Sequence, residues 1–291
     1  MSTKINIDGT ISDAEQARVL VLDRGFLYGD SIYEVIRTYE GRPFALDEHL
    51  ARFERSAASM DIPLPERDGL VAEIERTLQA GGNEESYCRI IVTRGNGPLT
   101  LDPATARDPM TVIVVKAFEP FPEAMFEQGI RVAIPSIRRN LRSAVDPAIK
   151  SGNYLNSILA LGEARRAGYD DALMLDVEGR VTEATTSNVF AVRDGVLCTP
   201  RLETGILEGV TRGLVLQLAQ ARGMRCEACD LYPDDLVAAE EVMLTSTLRE
   251  AMAVVAVGDS AVGSGRPGPM AARVRAMLRE YALQRVHGQA S

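Results

Sequence analysis

The apolar positions along this 291-residue chain repeat with two periods, one typical of strands and one typical of helices. In the first part of the chain, short runs rich in β-branched residues predict strands at 4–7, 18–22, 31–39, 90–93 and 111–115. Apolar residues three and four positions apart predict a helix from about Asp47, which Pro63 ends, and a second helix around 70–78, which Gly81 and Gly82 end. We therefore expect a mixed α+β domain here.

A proline-containing segment, F-E-P-F-P at 118–122, interrupts this pattern, which restarts at Ile130. Beyond it we predict strands at 130–134, 172–176, 189–192, 196–198, 242–245 and 252–257, and helices at 209–223 and 269–285. The predicted fold class is thus α/β (α+β) in two domains. The smaller domain spans 1–116, an interdomain loop spans 117–128, and the larger domain spans 129–291.

The charge and the hydropathy of the chain restrict its partners. A net charge of −9 without any basic run argues against nucleic acid and against an anionic membrane surface, and favours a small molecule. No apolar run approaches the roughly 20 residues that span a bilayer, and the first residues lack the apolar core of a signal peptide. We therefore expect a cytoplasmic protein.

Cysteine and histidine are too scarce to carry the chemistry. The four cysteines, at 88, 198, 226 and 229, are too scattered for a disulfide framework and are expected to be reduced. Cys226 and Cys229 have C-x-x-C spacing but lack a second ligand pair and a nearby histidine, so we predict no metal site. With only His49 and His287 in the chain, a Ser-His-Asp triad or a multi-histidine metal centre is close to excluded.

Lysine is the more informative residue, because only three of the 32 basic residues are lysines. Lys4 and Lys116 have the surroundings of solvated charges. Lys150 follows the apolar pair Ala148–Ile149, and we expect it to open an amphipathic helix that includes Leu155, Ile158, Leu159 and Leu161. A partly desolvated lysine can lose its proton and form a Schiff base, which arginine cannot do. The alternative is a surface lysine whose stem lies along apolar groups.

Two further features could serve a phosphate, and two charged residues are further candidates for a site, although each of the four also has an ordinary explanation. The helix that starts at Gly209–Val210–Thr211 offers backbone N–H groups to a phosphate, or is simply a capped helix. Ser246–Thr247 offers hydroxyl groups, or is a plain turn. Arg52 and Glu183 would usually be solvated surface charges.

Five stretches together form a family pattern, in chain order Y-G-D-S-I-Y-E-V-I-R-T-Y, E-H-L-A-R-F, I-K-S-G-N-Y-L-N-S-I-L-A, V-T-E-A-T-T-S-N-V-F and G-I-L-E-G-V-T-R. The pattern resembles the class IV aminotransferases, the pyridoxal 5′-phosphate (PLP) enzymes of fold type IV. This family includes branched-chain and D-amino-acid aminotransferases and aminodeoxychorismate lyase. The resemblance covers residues from about 4 to about 279, almost the whole chain.

The resemblance implies a role for each of several residues. Lys150 is similar to the lysine that binds the cofactor aldehyde as a Schiff base and then moves a proton. Glu183 matches the carboxylate that keeps the pyridine nitrogen protonated, and Tyr154 matches the donor to the phenolate oxygen, expected on the same helix face as Lys150. The phosphate would be held by Arg52, Val210, Thr211, Ser246 and Thr247, with Leu207 against the ring.

The resemblance also implies a substrate site and a partner. The second domain would hold most of the cofactor and the first would close over the substrate. Tyr28 matches a residue lent across a dimer interface, so a homodimer is expected. The substrate-binding positions of branched-chain enzymes match Tyr28, Arg37, Tyr87 and Arg89, and Tyr33 stands where phenylalanine is usual.

Departures from the family pattern keep substrate alternatives open. The D-amino-acid enzymes carry Arg and His where this chain has Leu99 and Leu101, so their carboxylate trap is missing. Bulkier residues, A-T-T at 184–186 and S-T-L at 246–248, replace the usual glycine-containing sequences of the branched-chain subfamily. Lyases of this family typically have threonines where this chain has Glu34 and Val35, which makes a lyase a less favoured interpretation.

The sequence therefore predicts a homodimeric, PLP-dependent transaminase that moves an amino group from a branched-chain or similar apolar L-amino acid to 2-oxoglutarate. The first alternative is a D-amino-acid or (R)-amine transaminase, and the next is an aminodeoxychorismate lyase. A protein that binds the cofactor without turnover is an alternative of a different class.

Overall fold

A computed structural model of the chain describes residues 3–288 and divides into two compact units. Unit 1 takes in the described residues up to Glu119, the segment Ile149–Asn153 and the chain from Ala282 onward; unit 2 comprises Pro120–Ala148 and Tyr154–Tyr281. The sequence predicted one division at 117–128. The units are instead discontinuous, so that Lys150 belongs to unit 1.

Unit 1 is built on a six-stranded antiparallel sheet with strand order β2-β1-β6-β5-β3-β4. Its elements are β1 (Lys4–Ile7), β2 (Thr10–Asp13), α1 (Arg24–Tyr28), β3 (Ser31–Tyr39), β4 (Arg42–Pro43), α2 (Leu46–Met60), α3 (Arg67–Gly81), β5 (Ser86–Thr93) and β6 (Met110–Ala117). Helices α2 and α3 cover one face, and the core between helices and sheet includes Phe53, Ile74 and Ile90.

The alternation of β3 decides which of its side chains reach this core. Ile32, Glu34 and Ile36 point towards the helices, because side chains two apart on a strand share a face. Tyr33 and Arg37 therefore lie on the opposite face. In register with β3, the neighbouring strand β5 places Arg89 opposite Val35 and Tyr87 opposite Arg37 on that same face.

Unit 2 contains a nine-stranded mixed sheet with order β12-β11-β10-β13-β14-β7-β8-β9, in which β15 also pairs with β14. Its elements are α4 (Glu123–Gln128), β7 (Ile130–Ala133), α5 (Leu155–Arg166), β8 (Asp171–Leu175), β9 (Val181–Ala184), β10 (Asn188–Arg193), β11 (Val196–Pro200), α6 (Val210–Ala221), β12 (Cys226–Cys229), α7 (Pro233–Val237), β13 (Glu241–Ser246), β14 (Glu250–Val257), β15 (Ser260–Ala261) and α8 (Pro269–Val286), whose last residues fall in unit 1. Leu173, Val189, Leu244 and Met252 lie in its core.

The predicted strand at 18–22 is wrong. Within residues 3–288 this run has no strand partner, and Val19, Leu20, Val21 and Leu22 are exposed. The strand that follows β1 is instead β2, which pairs with β1 across a turn at Asp8–Gly9. The apolar composition of the run predicted a strand. A strand also needs a free sheet edge to pair with, and the hydrophobic pattern of a sequence carries no information about such edges.

The predicted helix start at Lys150 is also wrong. Helix α5 begins at Leu155, and the apolar residues expected on its buried face, Leu155, Ile158 and Leu159, are exposed. The buried face instead carries the small residues Ala160 and Ala164, which pack against Ala172 and Met174 of β8. Small side chains allow the close approach of helix and strand, so size outweighed hydrophobicity in choosing the buried face.

The four cysteines are free thiols, as expected. Among residues 3–288, no helix combines the length and the apolar character that crossing a bilayer requires. The cytoplasmic location stays a prediction.

Gly95, in the loop that follows β5, is a position where both the backbone conformation and the surrounding space require glycine. Its φ is +97°, its carbonyl accepts from the Arg24 N–H, and a Cβ built on it would lie 2.0 Å from the Arg107 carbonyl oxygen. We expect Gly95→Ala to lower the free energy of unfolding by more than about 3 kcal/mol, because backbone strain and a backbone clash add. Gly82→Ala, with φ +59° and open space around its Cβ, should lose only about 1 to 2 kcal/mol. Equal losses in urea unfolding of the two variants would contradict the clash.

Candidate active site

Lys150 is held by backbone pairing at the start of β3. The Tyr33 N–H donates to the Lys150 carbonyl at 2.9 Å, the Gly152 N–H donates to the Ser31 carbonyl at 2.8 Å, and Ser151 forms a bridge with Ile32. The Lys150 N–H in turn donates to Ser56 Oγ of α2 at 3.1 Å. The segment thus behaves as a short extra strand on β3, which fixes the lysine backbone on three sides.

The Lys150 side chain ends at Tyr33. Nζ donates to the Tyr33 hydroxyl at 2.9 Å and lies 4.4 Å from the centroid of its ring. Tyr33 is buried, whereas Lys150 is half-buried. An amine beside a buried aromatic ring and a hydroxyl is partly desolvated and oriented, which is the condition that nucleophilic lysines need.

Arg89 reaches the same tyrosine. Its Cζ lies 4.3 Å from the centroid of the Tyr33 ring, and within residues 3–288 its buried Nε has no hydrogen-bond partner. Leaving a charged donor buried without an acceptor costs about 1 to 3 kcal/mol or more. A cation with an unsatisfied N–H is therefore placed on the ring that also orients the Lys150 amine.

Two other predicted substrate residues, Arg37 and Tyr87, lie on the same sheet face. Arg37 pairs with Glu85 at 3.3 Å and lies over the rings of Tyr39 and Phe118. Tyr87 is its cross-strand neighbour. The Arg37 charge thus has a carboxylate partner already.

Tyr28 ends helix α1, which Asp23 caps at one end and Gly29 at the other. The Arg24 guanidinium lies 5.1 Å from the Tyr28 ring centroid, and its nitrogens also donate to the carbonyls of Thr100 and Leu101. Arg24 therefore links the helix that carries Tyr28 to the loop that contains Leu99 and Leu101.

Arg52 lies in a buried ionic cluster with two residues that the sequence analysis did not assign. Its Nε and one terminal nitrogen donate to the two oxygens of Glu34 at 2.7 and 2.8 Å, and His49 Nδ1 lies 2.8 Å from Glu34. Burial alone would raise the pKa of Glu34, but the Arg52 charge and the hydrogen bonds lower it well below its usual range. Burial lowers the pKa of His49, so a neutral imidazole donates its Nδ1–H to the carboxylate. The guanidinium is held in a fixed plane.

In unit 2, Glu183 is the centre of a second buried network. Arg139 donates to Glu183 Oε1 from Nε at 3.0 Å and from a terminal nitrogen at 2.8 Å. The Leu207 N–H donates to Oε2 at 3.0 Å, and the Asn188 amide does so at 3.3 Å. Both oxygens of this buried carboxylate thus have donors, which fix its orientation. Sequence reasoning missed Arg139 and Asn188; the only available signal for Asn188 was its place in T-T-S-N-V-F.

Helix α6 begins beside this network. The Asn188 amide also donates to the Leu207 carbonyl, and a Cβ on Gly209 would lie 1.9 Å from Asn188 Oδ1. Only glycine fits there. Gly209 offers no side-chain cap, so the N–H groups of Val210 and Thr211 start the helix without an intrahelical acceptor.

The other predicted unit 2 residues lie at strand and helix ends. Ser246 ends β13, where its Oγ accepts from the Arg249 N–H at 3.3 Å, and Thr247 follows it. Tyr154 is the N-cap of α5. The expectation that Tyr154 shares a helix face with Lys150 is wrong, because Lys150 precedes the helix. The hydroxyl oxygens of Ser187 and Thr245 are buried without hydrogen-bond partners in the part of the chain that the structure describes.

Comparison with known proteins places this arrangement in a family. The model of the family "Amino-transferase class IV" matches residues 31–257. The chain belongs to the class IV aminotransferases. It is therefore a PLP-dependent aminotransferase, as the sequence motifs implied.

Relatives of two activities resemble this class IV aminotransferase over nearly its full length. A putative branched-chain-amino-acid aminotransferase of Methanocaldococcus jannaschii is 37% identical, over 95% of this chain and 96% of the relative. A D-alanine aminotransferase of Bacillus licheniformis is 32% identical, over 96% of this chain and 97% of the relative. The solved T.th. branched-chain amino acid aminotransferase complexed with N-(5′-phosphopyridoxyl)-L-glutamate is 31% identical, with a TM-score of 0.90 over 99% of this chain and 95% of that one.

The described residues fit PLP within each unit. Unit 1 offers an oriented primary amine at Lys150 for an aldehyde. Unit 2 offers an oriented carboxylate at Glu183 for a protonated ring nitrogen, and a glycine-started helix for a phosphate. The buried hydroxyls of Ser187 and Thr245 are further polar atoms that still lack a partner among residues 3–288.

Glu183→Gln tests whether the Glu183 carboxylate keeps a proton on the ring nitrogen of the cofactor. The amide keeps the shape of the side chain but loses the charge that faces Arg139, so it cannot hold a proton on a ring nitrogen. We expect kcat to fall by at least about 100-fold, while the cofactor absorbance stays with the protein after gel filtration. The matched control is Glu178→Gln, an exposed carboxylate on the loop before the same strand, which should behave as wild type. A variant that loses the cofactor but recovers full kcat when saturated with PLP would contradict this role.

Proposed function

We propose that this aminotransferase takes its amino group from a branched-chain or similar apolar L-amino acid and delivers it to 2-oxoglutarate. The observation that carries the proposal is the unsatisfied Nε of Arg89, on the same Tyr33 ring that orients the Lys150 amine. An amino acid presents an amino group and a carboxylate to its enzyme, and unit 1 offers a nucleophilic amine and a cation on one aromatic ring.

When bound, PLP supplies an electron-accepting ring that weakens the C–H bond beside the amino group. In this proposal Lys150 Nζ would hold the aldehyde of the cofactor in the absence of substrate, and would take the proton from the substrate carbon that bears the amino group and deliver it to the cofactor. The Tyr33 hydroxyl accepts a hydrogen bond from Nζ and keeps it in place between these tasks. A second base is not needed, since one lysine both holds and moves the proton.

The remaining cofactor roles are also proposals. We assign the ring nitrogen to Glu183, the phenolate oxygen to Tyr154 and the ring face to Leu207. The phosphate is assigned to a set of residues that offer positive charge, backbone N–H groups or hydroxyl groups: Arg52, Val210, Thr211, Ser246 and Thr247. The Glu34 cluster supports the role of Arg52, because it fixes the guanidinium plane before any ligand arrives.

Substrate handedness follows from where the carboxylate can bind. Leu99 and Leu101 are exposed and apolar, so the loop that binds the carboxylate in the D-amino-acid enzymes offers no charge at these two positions. Arg89, with Arg37, Tyr87 and the Tyr28 of a second copy, is assigned to the carboxylate of an L-substrate. The glutamate adduct of the T.th. relative supports 2-oxoglutarate as acceptor.

A homodimer is part of the proposal. Unit 1 exposes the apolar run Val19–Leu22 and Phe26, and Phe26 precedes Tyr28 on helix α1. Unit 2 exposes Leu155, Ile158 and Leu159. Contiguous exposed apolar side chains in a well-packed protein mark association surfaces.

The second candidate is a D-amino-acid or (R)-amine transaminase. It is favoured by the D-alanine aminotransferase relative and by Tyr33, Thr186 and Leu248, which add bulk to the branched-chain pattern. A donor screen with both enantiomers of leucine, alanine and 1-phenylethylamine distinguishes the two candidates.

Lys150→Ala removes the amine that we assign to both covalent binding and proton transfer. We expect transamination to fall by several orders of magnitude, on the order of 10⁴-fold or more, and the visible absorbance of the lysine-bound cofactor to disappear. Lys4→Ala, in a partly exposed pair with Asp13, is the matched control and should keep full activity. Retention of more than about a tenth of the activity in Lys150→Ala would exclude this assignment.

Arg89→Ala tests the carboxylate assignment. Loss of a charge-assisted hydrogen bond of about 1.5 to 3 kcal/mol should raise the KM for L-leucine by about 10- to 150-fold. The KM for an (R)-amine without a carboxylate should change by less than about threefold, which makes that amine an internal control for packing damage. If both KM values rise equally, Arg89 supports Tyr33 and does not bind the carboxylate.

A further inference from the structure

Three potential metal ligands converge at the edge of the unit 2 sheet. Cys198 lies on β11, and Glu227 and Cys229 lie on the edge strand β12, which pairs with β11 in parallel. Their two sulfur atoms and a carboxylate oxygen lie within 4.8 Å of one another, and Cys198 Sγ lies 3.6 Å from Glu227 Oε1.

Strand register explains why these three meet and why Cys226 does not. Cys198 is directly opposite Glu227, so their side chains leave the sheet on the same side. Cys229 is two residues further on and shares that side, whereas Cys226 is three residues from Cys229 and points to the other. Cys226 Sγ instead lies 3.8 Å from the Leu216 carbonyl. The C-x-x-C spacing therefore does not form a site, and Cys198 takes the place of Cys226.

A disulfide between Cys198 and Cys229 does not fit this register. Residues displaced by two positions on neighbouring parallel strands have Cα atoms about 8 Å apart, and a disulfide needs less than about 7 Å.

A metal ion bridges such a gap without moving the strands. Two sulfurs bound tetrahedrally at about 2.3 Å from zinc are about 3.8 Å apart, and the three ligand atoms are already within an ångström of that spacing. Two cysteines and one carboxylate suit a soft or borderline divalent cation, and a bound ion displaces the thiol protons. Glu227 is exposed on the edge strand, which leaves the fourth position to water.

We propose that Cys198, Glu227 and Cys229 form a binding site for a thiophilic divalent cation such as Zn²⁺, separate from the Glu183 network. The site ties the edge strand β12 to β11. Because it uses none of the residues assigned to PLP or to substrate, it stands or falls independently of the proposed function.

Titration of the PLP-loaded enzyme with cadmium chloride tests the site through the ultraviolet absorbance of thiolate-bound cadmium. We expect saturation at one cadmium per chain and reversal of the signal by excess zinc. Cys198→Ala and Cys229→Ala should each weaken binding by at least about 100-fold, and Glu227→Gln by about 10-fold. Cys226→Ala, on the same strand but the other face, should bind as wild type does.

Thermal unfolding gives a second measurement, since an ion that binds only the folded state raises the midpoint. Cadmium should raise the midpoint of wild type and Cys226→Ala and leave that of Cys229→Ala unchanged. Cys198 is buried, so its replacement can lower the midpoint by loss of core packing alone. Cys229 lies on the edge strand, so Cys229→Ala tests the site without that loss. The absence of a saturable absorbance in wild type, or an equal loss in Cys226→Ala, would overturn the proposal.

Discussion

The pairing of residues 150–152 with the start of β3 is the constraint on which the catalytic half of unit 1 depends. A lysine side chain has four rotatable bonds, so its amine is well placed only if its backbone is fixed and its tip has a partner. Three hydrogen bonds fix the backbone and Tyr33 holds the tip. Gly152 belongs to the same constraint, because a Cβ there would lie 2.4 Å from Ser31 Oγ. The motif K-S-G-N thus encodes a strand pairing as well as the lysine that we propose as the nucleophile.

Buried charge is handled in the same way in both units. Glu34 with Arg52, and Glu183 with Arg139, are each a buried carboxylate held by two nitrogens of one arginine and by further donors. Such pairs contribute little net stability, since desolvation offsets much of the attraction, but they fix direction. Arg89 differs, because its Nε lacks an acceptor in the described chain. Two of these arginines thus have carboxylate partners, whereas Arg89 is the one that we assign to the substrate carboxylate.

The sequence was sufficient for elements whose pattern reflects their own burial. The periodicity of β3 and of α2 predicted both, because one face of each meets the core of unit 1. It failed at α5, where small alanines are buried and leucines exposed, and at residues 18–22, where an apolar run has no strand partner. In the candidate site, too, local patterns predict some residues, and contacts between distant segments decide the others. The motifs made Lys150 and Glu183 candidates by their kind and order, and their roles stay predictions. The contacts with Tyr33 and Arg139 join distant segments, and one arginine among so many carries no local signal.

The alternation of β3 joins these observations. Glu34 points to the helix side and orients Arg52, while its neighbour Tyr33 points to the other side and orients Lys150. The next strand, β5, adds Arg89 to the second side through fixed register. In the proposed function, amine and carboxylate recognition therefore rest on two strands, and Leu99 and Leu101 add only apolar surface in the loop beyond them. Because strands hold their side chains more strictly than loops do, a scaffold of this kind can keep its nucleophile constant while loop residues change the substrate. Relatives named for branched-chain and for D-alanine transamination both match this chain over nearly its full length, which is consistent with such a separation.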